Sequence, residues 1–141
     1  MFKWLLFLPF LLIVSCQTGI FIKDSTAALT DIRKAVVMVL GQPRKTSLNG
    51  RELTSEYQDK QGHPDPSLAT AKTRSYTKVT ILGERRPYDI KVEVFQEAKI
   101  DQQYEIIAEN NALAQKLADE IEKTLNESLK NRNVIDDFHA F

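Results

Sequence analysis

Residues 87–94 read Pro-Tyr-Asp-Ile-Lys-Val-Glu-Val. Tyr88, Ile90, Val92 and Val94 alternate with Asp89, Lys91 and Glu93. Successive side chains on a strand point to opposite faces, so this pattern predicts a strand with one buried and one wet face. Pro87 stands at the first position, where a missing amide is tolerated. Just upstream, Tyr76–Leu82 places Thr77, Val79 and Ile81 on one side. Two such runs across Gly83-Glu84-Arg85-Arg86 predict an antiparallel hairpin.

Asn49-Gly50 is a turn signal, and after it Leu53, Ser55 and Tyr57 alternate with Glu52, Thr54 and Glu56, a third strand. The stretch from Asp59 to Lys72 holds Gly62 and His63-Pro64-Asp65-Pro66, and reads as an exposed loop. Downstream, Tyr104, Ile106 and Ala108 fit either a fourth short strand or the first turn of the next helix.

Helical spacing brackets this region. Leu29, Ile32, Val36, Val39 and Leu40 recur on one face, with Asp24 or Ser25 as the expected cap and Gly41 and Pro43 as the stop. The valine-rich run Ala35–Leu40 is the competing strand. Asn110 or Asn111 opens a second helix, whose stripe is Ala114, Leu117, Ile121, Leu125 and Leu129, widened by Leu113 and Ala118. Val134, Ile135, Phe138 and Phe141 follow at similar spacing. The expected fold is therefore α+β: a two-layer sandwich, an antiparallel meander of three or four strands with an N-terminal helix and a long C-terminal helix on one face. One domain over residues 24–141 is expected, behind a tether at 16–23.

The 141 residues carry 19 basic and 19 acidic side chains. That balance argues against a nucleic-acid partner, because phosphate-backbone affinity needs a basic surplus. It hides an asymmetry. Residues 16–83 hold 10 basic and 6 acidic groups, and residues 84–141 hold 8 and 13. Cys16 is the single cysteine, which excludes an internal disulfide framework.

Lys3 precedes the uncharged run Trp4–Val14. Such a run spans about 16 Å as a helix, roughly half a bilayer core, and fits the apolar part of an export signal over residues 1–15. Ile13-Val14-Ser15-Cys16 resembles the lipobox of bacterial lipoproteins at all four positions. The resemblance implies cleavage between Ser15 and Cys16, and attachment of fatty acyl chains such as palmitate at Cys16. Gln17 follows where the enteric sorting pattern uses aspartate for inner-membrane retention, which implies an outer-membrane anchor facing the periplasm.

Sites for chemistry are sparse. His63 with Asp65 lies in the loop and reads as solvated. Asp136, Asp137 and His139 cluster without a further ligand at helical spacing, so no metal is expected. No nucleophile–base pair or glycine-rich phosphate loop is visible, so the expectation is a non-enzymatic protein without a cofactor. Arg85 and Arg86, with Tyr88 beside them, are the candidate contact for an anion or a partner, since adjacent guanidiniums grip carboxylate or phosphate.

Two small lipoproteins resemble this layout. The helix ending Val39-Leu40-Gly41-Gln42-Pro43 before a strand meander resembles the small accessory lipoprotein of the β-barrel assembly machine. Helix, antiparallel strands and a long C-terminal helix resemble the plug lipoprotein of lipopolysaccharide transport. These imply an envelope protein or lipopolysaccharide as partner. The alternative function is a carrier holding a small or lipidic ligand between sheet and helices.

Overall fold

The alternation around Val92 lies at the centre of the sheet. The computed structural model describes residues 18–138, with side chains through Arg132. In chain order the elements are β1 (Ile20–Ser25), α1 (Leu29–Leu40), β2 (Lys45–Thr46), β3 (Glu52–Thr54), β4 (Thr73–Leu82), β5 (Tyr88–Ile100), β6 (Gln103–Glu109) and α2 (Asn111–Phe138). Among the described residues the fold is α+β, with six antiparallel strands and two helices, the last one long. That corrects the expected three or four strands.

β2 to β6 form the meander, and β5 is its spine. Along one edge β5 pairs with β4 over ten residues. Its other edge is shared: β1 takes Tyr88–Val92 and β6 takes Phe95–Ile100. β1 begins inside the segment expected to be a tether. Ile20 and Ile22 pair opposite Val92 and Ile90, so the apolar residues of that segment serve the sheet.

β6 settles the open choice at 104–108 in favour of strand. Asp101 and Gln102 both have positive φ, 46° and 69°, and join Ile100 to Gln103 in a two-residue turn. Two left-handed residues match the right-handed twist of a hairpin.

α1 forms where expected but starts differently. Ala28 occupies the cap position and provides no side-chain bond. The two expected caps both lie in the irregular end of β1, Asp24 at φ 54° and Ser25 paired opposite Tyr88. An aspartate tolerates that conformation in a bulge. Gly41 ends α1 at φ 79°, its amide donating to Val37 O. α2 is capped as expected: Asn110 Oδ1 accepts from the Leu113 amide at 3.0 Å.

One apolar cluster joins these elements. Ile32, Ala35, Val36 and Leu40 of α1 meet Leu113, Leu117, Ile121 and Leu125 of α2, and with them Val79, Ile81, Ile90, Val92 and Val94 of the sheet. Where α1 meets the far part of α2, buried Asp31 accepts from Arg132 Nη2 at 2.7 Å. No helix among the described residues is long and apolar enough to cross a membrane.

Candidate functional site

The hairpin tip separates the three residues grouped in the sequence. Arg85 and Arg86 are exposed beside the β4–β5 turn. Tyr88 is 8% exposed and belongs to the apolar cluster, so it does not stand with them as a contact residue. Position parity explains this: Tyr88 shares its face with Ile90 and Val92. Arg51 props the turn instead, donating to Gly83 O and, at 3.2 Å, to Glu84 O. Asp89 turns to β1, accepting from the Asp24 amide at 3.0 Å and from Lys23 Nζ at 3.3 Å. Those bonds, the amide first, hold its carboxyl below the ordinary carboxylate value.

Ser15 and Cys16 lie outside the described residues, as do His139 and the side chains of Asp136 and Asp137. His63 pairs with Asp59, at 3.3 Å, and not with Asp65. Asp65 caps the short 3-10 turn Pro66–Thr70, accepting from the Ser67 amide at 3.0 Å. Among the described residues no three His, Cys, Asp or Glu side chains come together as a metal would need.

The richest surface was not visible in the sequence. It lies on the face of β4 opposite Val79 and Ile81. Arg74, Tyr76 and Lys78 alternate there and pair opposite Glu97, Phe95 and Glu93 of β5. Arg74 Nε donates to Glu97 Oε2 at 2.7 Å, with both side chains about six-sevenths buried. The same guanidinium lies 3.3 Å from the Tyr104 ring centre and 4.2 Å from that of Tyr57, and it donates to Ala69 O. Arg44 lies 4.3 Å from the Tyr57 ring and 5.6 Å from that of Tyr76. Tyr57 meets Tyr76 edge-on at 6.4 Å, and Tyr76 meets Phe95 at 5.6 Å. Tyr57 therefore belongs to this cluster, whereas Leu53, expected on the same face, joins the apolar core. The cause is that β3 ends at Thr54, so the strict alternation stops before Tyr57.

A cleft of about 360 Å³ opens beside these rings, walled by Arg44, Lys45, Tyr57, Arg74, Tyr76 and Lys78, with Glu52 and Glu97 at its edges. All four cations come from the basic front half of the chain. Arg44 reaches it because its amide bonds Thr54 O at 2.9 Å, extending the β2–β3 ladder. Lys78 Nζ lies 3.6 Å from Glu52 Oε1.

Burial raises the Tyr76 hydroxyl above its ordinary value of 10.0, and the nearby Glu97 charge adds to this. A group raised on folding contributes stability that is complete below the unfolded value and lost as pH climbs through the folded one. Tyr76→Phe is therefore expected to reduce the loss of thermal stability above about pH 10. An unchanged alkaline profile would refute the burial argument.

The space between sheet and helices, proposed above for a carrier's ligand, is occupied by Ile32, Val36, Val79, Ile90, Val92 and Ile121, each 2% exposed or less. Comparison with protein-family models, curated proteins and solved structures finds no match for the chain.

Proposed function

We propose that the chain is a lipid-anchored, periplasm-facing protein of the outer membrane, and that it acts as a non-enzymatic interaction module of the cell envelope. The observation that carries this is the lipobox Ile13-Val14-Ser15-Cys16 placed directly before the folded part. Only Gln17, Thr18 and Gly19 separate Cys16 from β1. Fully extended, three residues reach about 11 Å. A lipid on Cys16 would hold the sheet against the membrane surface. Two or more acyl chains give a stable anchor, at about 0.8 kcal/mol per buried methylene.

The two-layer arrangement supports the interaction role. With both helices on one face and that interior filled, a cleft with accessible cations opens on the opposite face, among Arg44, Lys45, Tyr76 and Lys78. The partner in this reading is an envelope protein or lipopolysaccharide.

Mass spectrometry of the membrane-extracted protein tests the anchor. The expected chain begins at Cys16 and carries thioether-linked and amide-linked acyl groups. Cys16→Ala is expected to leave the outer-membrane fraction. A chain starting at Met1, or an unmodified Cys16 thiol, would overturn the proposal.

A further inference from the structure

We propose that the cleft between β2 and β4 binds a phosphate monoester, the dianionic group carried by a phosphorylated sugar or by a lipid headgroup. This goes beyond the membrane anchor and does not depend on it.

Charge is the first argument. Arg44, Lys45, Arg74 and Lys78 face Glu52 and Glu97, leaving a surplus of two positive charges in one concavity. A phosphate monoester carries about −1.5 to −2 at pH 7, whereas a carboxylate would neutralise half the surplus. The two acidic edges disfavour a long polyanion, which would have to pass them.

Geometry is the second. Lys45 and Lys78 flank Thr54 in one register row, so their backbones stand two strand spacings apart, about 10 Å. Two long, flexible ammonium arms close that gap onto a single tetrahedral group. Arg44 is exposed, yet its guanidinium is oriented by the Tyr57 and Tyr76 rings. A stacked guanidinium is a preorganised fork for two phosphate oxygens. Arg74 plays a different part. Its bonds to Glu97 and Ala69 O commit it to the wall, where it positions Tyr57. The Thr54 hydroxyl, in the lining, supplies a neutral donor, whereas that of Ser47 is committed to Asn49 Oδ1 at 2.7 Å. Tyr76 offers an apolar edge to the body of the ligand.

The test is calorimetric titration of the full protein, isolated from expressing cells in neutral detergent. The probes are inorganic phosphate, glucose 1-phosphate, dihexanoyl phosphatidic acid and, as the uncharged control, glucose. Saturable binding of the phosphorylated probes is expected, weakening steeply with salt. Arg44→Ala with Lys45→Ala is expected to weaken it by about tenfold or more. Both side chains are exposed, so the variant should fold, and its melting curve checks this. Lys123→Ala with Lys130→Ala, an equal loss of charge on α2, is expected to bind as the parent does. Tighter binding of glucose 1-phosphate assigns the site to saccharides, tighter binding of the phosphatidic acid assigns it to lipid headgroups, and equality assigns it to the phosphate itself. No saturation by any phosphorylated probe, glucose binding as well as its phosphate, or indifference to the Arg44/Lys45 substitution would each overturn the proposal.

Discussion

Arg74→Ala is expected to lower the unfolding free energy by about 3 kcal/mol, read from urea denaturation. The expectation comes from how much one guanidinium satisfies. It neutralises Glu97 at 2.7 Å, bonds the Ala69 carbonyl, and lies over the rings of Tyr57 and Tyr104. Removing it leaves the Glu97 carboxylate, with 15% of its side chain exposed, without its counter-charge. Breaking a buried pair from one side costs about 3–5 kcal/mol, and access of water to the vacated site reduces this toward the lower figure. Arg74→Lys keeps the charge but loses the planar fork and the stacking, so an intermediate loss is expected. Glu97→Gln with Arg74→Ala should cost less than the two single losses added together, because the uncompensated charge is gone. A loss under about 0.5 kcal/mol for Arg74→Ala would mean that the cluster is not ordered around this residue.

Why this cluster escaped a reading of the sequence is physical. Residues 87–94 were legible because one face of that strand meets a continuous apolar layer, and burial on one side enforces alternation. Beyond Val94 that constraint fades. Phe95 to Ala98 are all partly buried on both faces and Lys99 and Ile100 are exposed, so the same strand runs on without a pattern. β6 is mostly exposed, Ile106 and Ile107 included, and its turn uses Asp-Gln where Asn-Gly would have announced a hairpin. β1 is a strand because of partners about 70 residues away in Tyr88–Val92, information that no local window holds. The anion site follows the same rule. Arg85-Arg86 stood out because the two are adjacent in the chain, whereas Arg44, Lys45, Arg74 and Lys78 converge through strand pairing. The available signal was weaker: Tyr57, Tyr76 and Tyr104, three of the four tyrosines, have no place in the helix-facing layer. Amphipathic rings that do not fill the core need cations or water beside them.

Ile121→Ala should produce the largest single-residue effect in that layer, about 4 kcal/mol. Ile121 is fully buried at the middle of the α2 stripe, within the cluster that joins Val36 of α1 and Val92 of β5. Truncation removes buried apolar surface and leaves a cavity that neighbours on two helices and a sheet cannot all collapse to fill. Met38→Ala is the matched control. Met38 lies on α1 but is 76% exposed, and its loss should stay within about 0.5 kcal/mol. The comparison bears on function as well as on packing. If α2 seals the helix-facing layer, the variant should lose stability but keep phosphate affinity while folded, since Arg44, Lys45 and Lys78 lie on the other face. Weakened binding in a still-folded Ile121→Ala protein would show that the two faces are coupled. An effect no larger than that of Met38→Ala would instead show that α2 does not lie on the sheet, and the division into a packed face and a binding face would fall with it.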